Sequence, residues 1–142
     1  MHKLIVHNLI VNKGKILLIK RSYKSEDGSK NIYGGYWDFP GGKVRDKETP
    51  REALIREARE EIGIDVNVVD IFYEFSNYIE NKDYVYTTLV YLSQIDIEDE
   101  IRLSDEHTDY MWITAEDLLN SNIDCVLSVR PSIEKLLFSH IF

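Results

Sequence analysis

The chain predicts a mixed α+β domain, and three observations support that class. Apolar, strand-like runs occur over residues 2–11, 15–20, 65–80 and 84–95. Helical patterns occur over 50–62, 115–120 and 131–139. The two kinds do not alternate in the regular order that builds a parallel sheet from strand–helix–strand units. With 142 residues, 44% of them hydrophobic, the sequence fits one domain over 1–142 around a single core.

Taken in order, residues 2–11 alternate loosely between apolar and polar side chains, and Asn12-Lys13-Gly14 is a turn signal. The run KILLIK over 15–20 then returns as the second strand of a hairpin. Residues 22–36 are polar, contain three glycines and read as a long loop of the kind that carries function. Trp37 to Phe39 is short and apolar, and Pro40-Gly41-Gly42 is expected to turn the chain sharply. The helix at 50–62 has its own punctuation. Thr49 is a natural N-cap, Pro50 suits the first helical position, Glu52 completes a capping box, and Gly63 supplies a left-handed stop. Asn81-Lys82-Asp83 joins the next two strand runs, the second rich in β-branched and aromatic residues. Segment 96–105 is polar and irregular. Thr114 caps the short helix at 115–120, and Pro131 can start the closing one.

Composition excludes several classes. No apolar run approaches the roughly 20 residues a membrane helix needs, and the first residues lack a secretory signal pattern. The single cysteine, Cys125, has no internal disulfide partner and reads as a small core residue in a reducing cytoplasm. A net charge of −8 argues against a nucleic-acid polymer as partner, which would need clustered Lys and Arg. An acidic protein acting on an anionic substrate needs a divalent cation to bridge the two.

The helix at 50–62 carries the chemistry. Residues three and four apart share a helix face, so Glu57, Glu60 and Glu61 converge. Leu54, Ile55, Ala58 and Ile62 fill an adjoining core-facing sector, and Ala53 is expected on the carboxylate side, leaving room for a ligand. Carboxylates about 6 Å apart repel by roughly 0.7 kcal/mol in water and about 3 kcal/mol at an effective dielectric of 20. A cation relieves that repulsion, and hard oxygen donors suit Mg²⁺ or Mn²⁺ better than zinc or copper.

Residues 42–64, GKVRDKETPREALIREAREEIGI, place Gly42, Glu48, Arg56, Glu57, Glu60, Glu61 and Gly63 in one fixed spacing. This resembles the Nudix hydrolase signature, Gx5Ex7REUxEExGU with U apolar, at every specified position. An accidental match is on the order of 10⁻⁷ or rarer. The resemblance implies an α/β/α sandwich around a mixed sheet, and a loop–helix–loop that binds divalent cations against a diphosphate. It implies Glu60 and Glu61 as principal metal ligands. Glu57 is then a further ligand or general base, and Gly41 a backbone-carbonyl ligand. Arg56 and Glu48 match a structural pair that braces the loop and orients the neighbouring glutamates. Glu106, in LSDEHTDYMW with His107 beside it, is a candidate ligand or base outside the box. Arg21 matches a phosphate-binding position and Asp38 a substrate-contacting one; Phe39, which with Trp37 flanks Asp38, is a further candidate substrate contact. Tyr33 and Tyr36 are available for stacking on a base. A homodimer is compatible with the family.

The length and the GGYWDFPGGKV stretch resemble the branch that cleaves nucleoside triphosphates, including oxidised ones, to the monophosphate and pyrophosphate. Members that read oxidised guanine can carry an Asn ahead of the last helix. Here Ser128-Val129-Arg130-Pro131 stands there, with Asn120 and Asn122 as the nearest amides. Diadenosine polyphosphate, ADP-ribose and other nucleotide-sugar cleavage remain alternatives, as does a non-catalytic nucleotide-binding module. The ADP-ribose marker proline past the box is missing. Tyr78 and Tyr84 bracket the diadenosine marker position without occupying it. A Nudix-type isomerase would need a catalytic cysteine near the box, and Cys125 lies far from it.

Overall fold

The computed structural model describes residues 2–24, 33–96 and 98–139; part of the long 22–36 loop therefore lies outside the described residues. Seven strands and three helices follow in the order β1 (His2–Asn12), β2 (Lys15–Arg21), β3 (Trp37–Asp38), β4 (Gly41–Lys43), α1 (Pro50–Ile62), β5 (Asn67–Ile79), β6 (Tyr84–Gln94), β7 (His107–Thr114), α2 (Ala115–Leu119) and α3 (Val129–Ser139). The sheet is mixed. β1 runs parallel to β6, and every other pairing between these strands is antiparallel.

The β1–β2 hairpin turns on Lys13 and Gly14, both at positive φ (51° and 75°), as a two-residue turn requires. It keeps only two pairs, Val11↔Ile16 and Asn12↔Lys15. The rest of β1 pairs with β6 on one side and with β4 on the other. β2 instead pairs along its whole length with β7, from Lys15↔Thr114 to Arg21↔His107, with a register shift at Lys20/Arg21. Such a shift bends a strand. Here it occurs beside Glu106.

Successive side chains of a strand point to opposite faces, and both faces of this sheet are covered. Ile16 and Leu18 of β2 and Leu9 of β1 pack with Leu118 of α2 and with Val129, Ile133 and Leu136 of α3. Leu17 and Ile19 of β2 and Ile10 of β1 pack with Ala58 and Ile62 of α1. That two-sided burial is why KILLIK reads as a continuous apolar run rather than an alternating one. The result is an α/β/α sandwich. Among the described residues, no helix is long and apolar enough to cross a membrane.

Three local readings are corrected. Residues 107–114 form a strand absent from the sequence-based element list. Gly41–Lys43, expected as a turn, is a short strand held by Ile5↔Lys43 and His7↔Gly41. Ala53 does not leave room for a ligand. It is fully buried against Val6 and Leu54, while Ile55 is only partly buried.

Candidate active site

Helix α1 starts with a complete capping box. The Thr49 side chain accepts from the Glu52 N–H, and Glu52 accepts from the Thr49 N–H at 3.1 Å. It ends at Gly63, in the left-handed conformation with φ 69°. These caps fix which residues face the sheet. Leu54, Ala58 and Ile62 are buried, and so is Glu61, three residues past Ala58 on the same face. Glu60, one position back, is exposed.

Arg56 gathers the acidic side chains around it. Its Nε and Nη2 donate to the two oxygens of Glu48 at 2.7 and 2.9 Å, a bidentate fork. Nη1 donates to Glu57 Oε1 at 2.8 Å and reaches Glu60 Oε2 at 3.4 Å. Nη2 also donates to the Lys43 carbonyl at 3.0 Å, tying the helix to β4. The fork, together with the Arg45 N–H, draws the Glu48 carboxyl down to about 2. A lysine could not make this fork, because it lacks the planar donor pair.

Glu61 lies on the inner wall. Its Oε1 accepts from the Gly41 N–H at 2.6 Å, and its Oε2 is 3.6 Å from His107 Nε2. Burial raises its pKa well above the carboxylate range, and the neighbouring charges of Glu57, Asp38 and Glu106 add to the rise. Burial also raises Glu57, with Arg56 opposing the effect. His107 Nδ1 is 3.4 Å from Ser104 Oγ, and burial lowers its pKa to about 4. Near neutral pH it is therefore an uncharged ring beside Glu61.

Glu57, Glu60 and Glu61 face Ser104, Asp105 and Glu106 across a cleft of ≈ 430 Å³. Backbone bonds set the far wall. The Ser104 N–H donates to the Glu61 carbonyl at 3.1 Å, and the Arg102 N–H to the Ile62 carbonyl at 2.9 Å. Residues 102–104 thus fold back over the end of α1. Glu106 is brought to the box glutamates, with its carbonyl accepting from the Ser22 N–H at 2.8 Å.

The remaining candidates centre on Asp38 and Arg21. Asp38 is 4% exposed; it accepts from Arg21 Nη1 at 3.3 Å and from the Phe39 N–H at 2.8 Å, and His7 Nε2 is 3.6 Å away. Arg21 keeps a third of its side chain exposed, and its buried Nε has no hydrogen-bond partner among the described residues. Phe39 is 1% exposed in the core beside α2 and α3, so its ring has no surface to offer a ligand. Tyr33 and Tyr36 meet edge to face at 5.6 Å, and the Arg21 guanidinium sits 5.9 Å over the Tyr33 ring. Cys125 packs partly buried against the same core.

Gly41 and Gly42 are required by close approach. A Cβ on Gly41 would lie 2.0 Å from the Val6 carbonyl oxygen, and one on Gly42 would lie 2.5 Å from Glu57 Oε1. Ser104, Asp105 and the His107 ring are site features that sequence reasoning did not assign. The signal for His107 was its place next to Glu106.

The donors around the cleft are hard carboxylate oxygens. Among the described residues no three acidic, His or Cys side chains form a preformed metal cage. Arg56 and the Gly41 N–H hold the carboxylates instead. Glu57 and Glu61 are acids whose burial is incompletely compensated, and a cation would favour their charged forms. That chemistry fits Mg²⁺ or Mn²⁺.

Comparison with known proteins agrees with this architecture. The NUDIX domain family model matches residues 1–131. Nucleoside triphosphatase NudI of Escherichia coli O139:H28 is 30% identical over 128 residues, covering 84% of this chain and 87% of that protein. An 8-oxo-dGTP diphosphatase of Proteus vulgaris is 65% identical over only 37 residues, 26% of this chain and 33% of that one. The crystal structure of a MutT protein from Methanosarcina mazei Go1 superposes with a TM-score of 0.82 at 27% identity, covering 99% of this chain and 96% of that one. With its signature filled, its fold matched and its glutamates lining one cleft, the chain belongs to the Nudix hydrolase family.

Proposed function

We propose that this protein hydrolyses a nucleoside triphosphate to the monophosphate and pyrophosphate, with Mg²⁺ or Mn²⁺ as cofactor. The observation that carries the reading is the cleft itself, in which Glu57, Glu60, Glu61 and Glu106 face one space. Glu60, Glu61 and the Gly41 carbonyl would hold the cation, with Glu57 as a further ligand or the base. A bound divalent ion supplies charge neutralisation at phosphate oxygens and makes water a better nucleophile.

The protein's own groups do the positioning. Arg56 holds Glu57 and Glu60 at the rim, and the Gly41 N–H holds Glu61. Glu57, with its raised pKa, is suited to accept a proton from an attacking water; Glu106, across the cleft, is the second acid able to do so. Arg21 has a partly exposed guanidinium with which to meet a phosphate oxygen. The triphosphate reading is supported by the relative named as a nucleoside triphosphatase, which aligns along most of both chains. Preference for oxidised guanine is not favoured. Ser128, just ahead of α3, and Val129, its first residue, are buried, Ser128 Oγ lies 3.4 Å from His7 Nδ1, and neither side chain offers an amide to a purine edge.

A panel of nucleoside di- and triphosphates, dinucleoside polyphosphates and sugar nucleotides, assayed with Mg²⁺, tests the proposal. The expected products are a nucleoside monophosphate and pyrophosphate, and ¹⁸O-labelled water locates the bond cleaved. Failure to cleave any triphosphate, or release of orthophosphate instead, would overturn it. Wild-type rates in Glu60→Gln or Glu61→Gln would reject their assignment as ligands.

A further inference from the structure

Val6, Asn8 and Ile10 alternate along β1 on the face that packs under α1, where Val6 and Ile10 are fully buried and apolar. Asn8 is equally buried, at 0% exposure, and a buried amide is costly unless its bonds are made. All are made here. Its Oδ1 accepts from Ser93 Oγ at 2.7 Å, and its Nδ2 donates to the Leu54 carbonyl at 3.1 Å and the Pro40 carbonyl at 3.3 Å. The Asn8 backbone N–H donates to that same Pro40 oxygen at 2.7 Å.

The Pro40 carbonyl and the Gly41 N–H belong to one peptide unit. Asn8 therefore grips the oxygen end of the peptide whose other end donates to Glu61 Oε1 at 2.6 Å. Its second bond, to Leu54, reaches the helix that carries Glu61, seven residues upstream on the same face. A carbonyl that accepts two hydrogen bonds polarises its peptide and strengthens the N–H at the far end. From this geometry we infer that Asn8 is a positioning residue for the metal site. It locks the Pro40–Gly41 peptide and α1 in the one relation that aims the Glu61 carboxylate into the cleft. An apolar side chain would fill the row between Val6 and Ile10, so packing alone does not call for an amide. The inference rests on Glu61 being a metal ligand.

The test uses the full chain and the pair Asn8→Val with Ser93→Ala. Removing both partners of the Asn8–Ser93 bond is close to neutral for stability. The Leu54 and Pro40 carbonyls, however, each lose a donor, so the double variant should melt below the wild type while remaining folded. Its affinity for Mn²⁺ alone, by calorimetry without nucleotide, should fall about tenfold or more, the usual scale for losing a group that orients a ligand. Ser93→Ala alone should lower the melting temperature and leave Mn²⁺ affinity within about twofold. Unchanged affinity in the folded double variant would overturn the inference, as would an equal loss in Ser93→Ala. If the double variant does not fold, ¹⁵N spectra of the wild type carry the test. On Mg²⁺ titration the Asn8 side-chain amide and the Gly41 amide should shift with one midpoint, and a shift of Gly41 with Asn8 unmoved would refute the coupling. Absence of metal binding by the wild type is a different failure, which removes the metal site and this inference together.

Discussion

Replacing Arg56 by alanine removes one guanidinium from three carboxylates and a carbonyl at once. The lost bonds are the fork to Glu48 at 2.7 and 2.9 Å, the bond to Glu57 at 2.8 Å, the bond to the Lys43 carbonyl at 3.0 Å and the longer reach to Glu60 at 3.4 Å. Arg56 is 18% exposed, and Glu48 and Glu57 are each 15% exposed, so water only partly replaces it. Breaking a buried pair by removing one partner costs about 3–5 kcal/mol. The residual exposure here argues for the lower end, about 3 kcal/mol. For a chain of this size that corresponds to a melting-temperature loss of about 10 °C. Calorimetry of the metal-free protein reads this directly. Arg56→Lys should recover less than half of the loss, because it restores charge without the fork. A melting temperature within about 2 °C of wild type in Arg56→Ala would refute the bracing role.

Two further outcomes follow from the box geometry. Gly42→Ala should lower kcat by about 10- to 100-fold, because its Cβ would lie 2.5 Å from Glu57 Oε1 and displace a positioned carboxylate. Its melting temperature should change little, since a side-chain end can move. Gly41→Ala presses on the Val6 carbonyl at 2.0 Å and should instead cost about 3 kcal/mol of stability, so wild-type melting there would count against the packing described. Glu48, drawn from 4.5 to about 2 by Arg56 and the Arg45 N–H, contributes stability that is complete above pH 4.5. That contribution is lost as pH falls from 4.5 through about 2. Melts across this window should fall more steeply for wild type than for Glu48→Gln, and parallel curves would contradict the coupling.

What the sequence made legible was local. Helix α1 could be bounded from Thr49, Glu52 and Gly63 because capping is settled within one turn. The convergence of Glu57, Glu60 and Glu61 follows from helical period alone. Strand β7 was hidden because Thr108, Asp109 and Tyr110 are exposed and polar, and only pairing with β2 makes the segment a strand. The strand at Gly41–Lys43 has two glycines and no propensity of its own; β1 imposes it. Helical period groups Glu61 with Glu57 and Glu60 on a carboxylate face, although its spacing from Leu54 and Ala58 puts it on the core stripe. Ala53 was misplaced because its contact, Val6, lies far away in the chain. The bonds of Asn8 and the approach of His107 to Glu61 are likewise long-range and invisible to periodicity.

Thermal unfolding with and without saturating Mg²⁺ tests the central claim most directly, namely that the cleft between α1 and the 104–106 loop holds a divalent cation. A ligand at 100 times its Kd stabilises by about 2.7 kcal/mol, a rise of about 8 °C for a chain of this size. Wild-type protein should show that rise, and Glu61→Gln should lose most of it while remaining folded. No rise in the wild type, or an equal rise in Glu61→Gln, would contradict the claim.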